Sequence, residues 1–155
     1  MAPDREEGDS RMSNVTNVTD DLINALNAHD LESALECYTD EAVYVSPAGV
    51  GEGRDEIASF LGAFLTGFPD IRWTPWSTVV VCGNLVITQW ALTGTHGGPF
   101  LMPNGEIIEA TGRCVSVRGC SLRTMDGDHI AVHCVFYDQL ELYAQLGAEL
   151  VRQSR

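Results

Sequence analysis

The chain contains no lysine, and its 9 basic residues face 22 acidic ones, for a formal charge of −13 over 155 residues. A surface so poor in cations has little with which to displace counterions from a phosphate backbone, so nucleic acid and anionic membranes are excluded as partners. Long apolar runs are missing as well. No stretch approaches the roughly eighteen apolar residues of a membrane span. The polar start Met1 to Arg11 also lacks the apolar centre of a secretory signal. The 5 cysteines are odd in number and form no Cys-x-x-Cys pair. Most sit in apolar runs, where Cys acts as a small hydrophobe, and this fits a reducing cytoplasm. No glycine-rich phosphate loop, Gly-x-Ser-x-Gly elbow or dinucleotide fingerprint occurs. His29, His96, His129 and His133 show no metal-ligand spacing with neighbouring carboxylates, so no metal is expected.

What is present is enough for one core. A hydrophobic fraction of 45% and a charged fraction of 20% are ordinary for a globular chain of this length. Residues 1–16 lack an apolar stripe and are expected to be a flexible leader, with a single domain over 17–151. From Asp20, apolar residues at helical spacing predict two short helices joined at Ala28-His29-Asp30, where Asp30 caps the second. Ala42 to Ser46 reads as a strand stopped by Pro47 and glycines. Ile57, Phe60, Leu61, Phe64 and Leu65 then mark an amphipathic helix.

The period changes in the second half. Ile71 to Val81, Leu85 to Thr95, Arg113 to Arg123 and His129 to Asp138 are β-rich runs, separated by turns at Cys82-Gly83-Asn84 and Asp126-Gly127-Asp128. A last helix is expected over Gln139 to Val151. Helices first and an antiparallel meander second is an α+β arrangement, with a bent sheet that leaves a cavity beneath the helices.

Four strings in this order carry a resemblance: FLTGFPDIRW (Phe64 to Trp73), WALTGTHGGPF (Trp90 to Phe100), TGRCVSVRGC (Thr111 to Cys120) and VFYDQLELYAQLG (Val135 to Gly147). Together they resemble the SnoaL-like polyketide cyclase family of the nuclear-transport-factor-2-like superfamily, over about Val18 to Gly147. The resemblance implies a cone-shaped α+β barrel, a curved antiparallel or mixed sheet with N-terminal helices enclosing a deep apolar pocket. It also implies a homodimer or higher homo-oligomer, and acid–base chemistry on a small molecule without metal or organic cofactor. Its best-known members close the last ring of aromatic polyketides in antibiotic biosynthesis. Relatives include hydroxylases, isomerases and proteins without known activity, so the fold does not fix the reaction.

Strand parity selects candidate residues. Val86, Thr88, Trp90 and Leu92 form the apolar face of their run, and the same parity reaches His96. That histidine is read either as an acid–base group at the pocket mouth or as a hydrogen-bonding element of the Gly94 to Gly98 loop. In the last strand, Ile130, Val132, Cys134, Phe136 and Asp138 are the more apolar set and are expected to meet the helices, with His133 outward. Asp138 is then either a desolvated acid–base carboxylate or the cap of the last helix. Tyr44 is a hydrogen-bond donor to a ligand carbonyl or a packed core residue. Phe60, Phe64, Trp90, Ser121, Cys134 and Phe136 complete the substrate-binding candidates.

Two departures from the family pattern stand out. Many relatives carry an acid in the stretch corresponding to Gly119-Cys120-Ser121, where this chain has Ser121. Relatives also often show Glu and Trp at the positions of Val132 and Cys134. The expected function is a cofactor-free cyclase of secondary metabolism acting on an apolar, oxygenated polyketide-like precursor. A non-catalytic binding or assembly module and a cofactor-independent hydroxylase are the alternatives. Ile87, Gln89, Ala91, Thr93, Val135 and Tyr137 are expected on the outer face of the sheet, where a second copy covers them.

Overall fold

Apolar side chains three and four residues apart shape the first helix, α1 (Arg5–Asn27): Val15, Leu22, Ile23 and Leu26 are all buried. The computed structural model describes residues 5–149, 151 and 152. Helix α1 therefore starts inside the stretch 1–16 that composition alone reads as a leader, and Val15 belongs to the core. His29 takes a left-handed φ of 58°, turning the chain into α2 (Leu31–Glu36). Asp30 caps that helix, accepting from Ser33 N at 3.0 Å and from Ser33 Oγ at 2.6 Å.

Strand β1 (Tyr38–Ser46) turns back into β2 (Gly49–Glu52), and α3 (Gly53–Gly67) follows with Ile57 and Leu61 buried. The long strands are β3 (Arg72–Val81), β4 (Leu85–Thr95), β7 (Cys114–Asp126) and β8 (His129–Tyr137). Between β4 and β7, the short β5 (Phe100–Leu101) and β6 (Ile107–Ile108) form a separate hairpin. Helix α4 (Gln139–Gln145) is shorter than its apolar pattern suggests, because Gly147 takes a φ of 85° just past its end.

The six main strands pair in the order β2-β1-β8-β7-β4-β3. Only β1 with β8 is parallel. This is the expected α+β architecture with a curved mixed sheet, although the sheet remains open rather than closing into a full barrel. Helix α1 packs over β3 and β4, and α3 over β1, so an enclosed space lies between helices and sheet.

Register decides which side chains enter that space. Going from Met125↔Ile130 to Thr124↔Val132, β7 advances one residue while β8 advances two, so Ala131 is the extra residue of a β-bulge. Ile130 and His133, three apart, are consequently both buried. The bulge overturns the face assignment made from simple alternation. His133 and Val135 are buried and, with Tyr137, line the inner space, while Phe136 is 58% exposed on the opposite side. Val135 and Tyr137 therefore do not belong to the outer face. For β4 the alternation holds, with Val86, Thr88, Trp90 and Leu92 all buried.

Candidate active site

Three rows of the sheet build the floor of the cavity. Val86, Arg123, His133 and Tyr44 are successive cross-strand partners; the next row holds Thr88, Ser121 and Val135, and the one beyond it Trp90, Gly119 and Tyr137. Gly119 is required where it stands, because a Cβ there would overlap the Trp90 indole that lies across it. Trp90 Nε1 donates to Ser121 Oγ at 2.8 Å, which satisfies the buried indole and fixes its plane.

The polar groups of this floor are few, buried and short of partners. His133 is 3% exposed. Its Nδ1 lies 2.7 Å from Tyr38 Oη, and its Nε2 has no hydrogen-bond partner. Tyr38 stacks on one side of the imidazole at 5.9 Å, and Tyr44 meets it edge-on at 5.2 Å. Burial, helped by the charge of Arg123, holds the His133 pKa well below the usual imidazole range, so the ring is neutral at pH 7. Burial pushes the Tyr44 hydroxyl pKa up, keeping it a protonated donor. Arg123, also 3% exposed, donates from Nη1 to Thr88 Oγ1 at 3.2 Å, while its Nε is unpartnered.

Two chambers share walls here. The inner one, about 50 Å³, is bounded by the floor described above with Leu26, Leu61 and Leu142. The outer one, about 300 Å³, lies between α3, the β1–β2 turn, the β5–β6 hairpin and α4. Tyr44, Phe64 and Tyr137 line both. Phe64 stands at the centre of an aromatic cluster, with ring centroids 6.1 Å from Tyr137 and 5.4 Å from Phe100.

The candidate residues sort themselves against this geometry. Tyr44, Phe64, Trp90 and Ser121 line the inner chamber, and Phe60 lines the outer one. His96 is fully buried yet lines neither chamber. Its Nδ1 lies 2.9 Å from Thr111 Oγ1 and accepts from Thr111 N at 3.2 Å, and its ring packs on Phe68. Asp138 is exposed and caps α4, accepting from Glu141 N at 3.0 Å. Cys134 and Phe136 line neither chamber, since the bulge at Ala131 turns them outward.

Two groups escaped sequence reasoning. Arg123 is in phase with Val115, Val117, Ser121 and Met125, all buried, and a lone cation on an apolar row was the signal available. His133 was hidden by the bulge. No cluster of three or more His, Cys, Asp or Glu that could hold a metal occurs among the described residues, and all five cysteines are free.

An open α+β half-barrel over a mostly apolar chamber with a few buried donors defines a small-molecule-binding fold. The chain belongs to the SnoaL-like domain family, which it matches over residues 19–133. No curated protein matches it. It is similar to solved structures of three bacterial proteins. A candidate SnoaL-like polyketide cyclase from Jannaschia sp. CCS1 shares 21% identity, covering 89% of this chain and 94% of that one, with a TM-score of 0.77. IdmH, a candidate polyketide cyclase from Streptomyces antibioticus, shares 26%, covering 86% and 98%, with a TM-score of 0.70. AclR, a candidate hydroxylase from Streptomyces galilaeus, shares 20%, covering 88% and 97%, with a TM-score of 0.75.

Proposed function

We propose that this chain is a cofactor-free acid–base enzyme of secondary metabolism, a cyclase that closes a ring in an apolar, oxygenated polyketide-like precursor. The observation that carries the reading is a neutral, buried His133 with an unpartnered Nε2 that lines an apolar chamber, with Tyr44 edge-on to its ring. The acid–base role expected of His96 or Asp138 passes to His133, and Tyr44 keeps its role as donor.

In the tautomer where Nδ1–H donates to Tyr38 Oη, His133 Nε2 presents a lone pair and takes a proton from the carbon next to a substrate carbonyl. That carbon attacks a second carbonyl of the same molecule, and the alkoxide formed takes the proton back from the imidazolium. Tyr44 donates to the oxygen on which charge develops, in a setting dry enough for that bond to count. Tyr38 holds the ring and its tautomer in place. Synthetic poly-β-ketone esters, incubated with the protein in chelator and followed by mass spectrometry, should give a ring-closed product without oxygen uptake. Consumption of molecular oxygen would instead support the hydroxylase reading that the likeness to AclR suggests.

The small inner chamber supports a second reading, a binding or assembly module filled by its own side chains. Absence of any product across the ester series would favour it. Five free cysteines fit a reducing cytoplasm for either, and no helix among the described residues is long and apolar enough to cross a membrane.

The protein is also proposed to act as a homodimer. Val79, Ile87, Leu122 and Cys134 form one outward row of the sheet, with Trp76 at 53% and Phe136 at 58% exposure close by. Light scattering at micromolar concentration should give twice the 16.9 kDa chain mass, and Phe136→Asp should return a monomer. A monomeric wild type overturns this.

A further inference from the structure

A guanidinium removed from water normally has a carboxylate beside it, because desolvation of an unpaired charge costs several kcal/mol. Arg123 has none. The ion pairs among the described residues are Arg54 with Asp40 and His129 with Asp128, both at the exterior. The side chains whose fields act on its charge are Tyr38, Tyr44, Cys120 and Cys37, none of them a carboxylate. Its neighbour across the strands, His133, is neutral. Thr88 accepts one of its N–H groups, and Nε has no acceptor at all. A buried, uncompensated cation with an unused donor at the wall of a chamber is a half-built anion site, and the chamber is where the missing half can enter.

Size narrows what that half is. At about 50 Å³ the inner chamber holds roughly three to five waters, given the ~10–15 Å³ that each requires. A carboxylate fits in such a space and a fused ring does not. The outer chamber, about 300 Å³ and walled by Phe60, Phe64, Phe100 and Met102, has the volume and character for the ring.

We infer that the ligand of this cavity is an aryl or polycyclic carboxylate, its ring system seated in the outer chamber and its carboxylate passing Phe64 and Tyr137 to pair with Arg123 in the inner one. The inference rests on the proposed small-molecule reading and adds the ligand's charge and orientation to it. Arg123 then acts as a specificity-determining anchor: neutral analogues, esters and amides alike, leave its charge unpaired and bind more weakly on that ground.

The test uses the full chain and a series of carboxylates from 2-naphthoate to 4-(2-naphthyl)butanoate, each paired with its primary amide, with binding read by calorimetry. At least one acid of the series should bind tenfold or more tightly than its amide. Arg123→Met should remove that preference while leaving amide affinity within about twofold. Arg123→Lys should keep part of it, since the charge remains and the fork is lost. Without ligand, Arg123→Met should melt at or above the wild-type temperature, as an unpaired buried charge has been removed. Equal affinity for acids and amides in the wild type overturns the inference, as does failure of every acid to bind at millimolar concentration, and neither result depends on a variant folding. Because binding is read without turnover, the two proposals fail separately. A chain that prefers acids but closes no ring keeps the anion site and loses the cyclase reading. Ring closure at an unchanged rate in Arg123→Met, with no acid preference in the wild type, does the reverse.

Discussion

His96 and His133 begin from the same description: each is buried, each has Nδ1 engaged by a hydroxyl side chain, and each has an unpartnered Nε2. They differ in their surroundings. His96 ties the glycine-rich loop after β4 to Thr111 and packs on Phe68, whereas His133 sits in a row with Arg123 and Tyr44 on the wall of a chamber. Burial and hydrogen bonding thus leave the two histidines alike. What differs is that His133 lines a chamber and His96 lines neither.

Replacing each histidine should break the symmetry in opposite directions. His133→Gln should lower turnover of the ring-closing substrate at least a hundredfold, equivalent to about 2.7 kcal/mol of barrier, with Tm changed by only a few degrees. His96→Gln should leave turnover within about threefold. Comparable losses of turnover in both would return His96 to the acid–base role. On stability the order reverses. His96→Ala should cost about 3 kcal/mol, lowering Tm by about 6–12 °C in a chain of this size, because a buried ring and its bonds to Thr111 are lost together. A melt within 2 °C of wild type would contradict that.

Acidification sharpens the same contrast. The folded state holds His133 unprotonated well below the usual pKa near 6.5, while the unfolded chain binds a proton there. The unfolded state therefore gains protons first as pH falls. Stability from this group is full above about pH 6.5 and is lost progressively below it, by up to about 1.4 kcal/mol per pH unit. Melting curves between pH 7.5 and 5 should show this slope, and His133→Gln should flatten it. An unchanged slope in the variant would place the titrating group elsewhere. The smallest effect belongs to Asp138→Ala, expected to remove about 1 kcal/mol of helix-cap stabilisation and to leave turnover intact. A loss of turnover greater than the loss of folded protein would reopen its chemical role.

Much of this was legible in the residues. The helix pair at His29-Asp30, the long strands and their order, and the inward set Val86, Thr88, Trp90 and Leu92 follow from period and turn chemistry, because β4 runs from Leu85 to Thr95 without a register shift. The site was legible only in part. Tyr44, Phe64, Trp90 and Ser121 do line the inner chamber, but extending the phase of Ile130 along β8 inverted everything beyond Ala131. Composition reinforced the error. The outward residues Val132, Cys134 and Phe136 are more apolar than the inward His133 and Tyr137, so the usual equation of apolar with inner points the wrong way wherever both sides of a sheet are apolar. Arg123 was passed over for a related reason: strand patterning rewards hydrophobicity, and a buried cation breaks the pattern.

The extra residue at Ala131 also has a bearing on how such a cavity changes over descent. Because strand faces alternate with a period of two, deleting Ala131 would make Met125↔Ile130 and Thr124↔Val132 consecutive regular pairs and leave His133, Val135 and Tyr137 inward, whereas straightening the bulge with the residue kept would turn all three outward. Homologous positions in this strand can therefore be compared only after the bulge has been located in each chain.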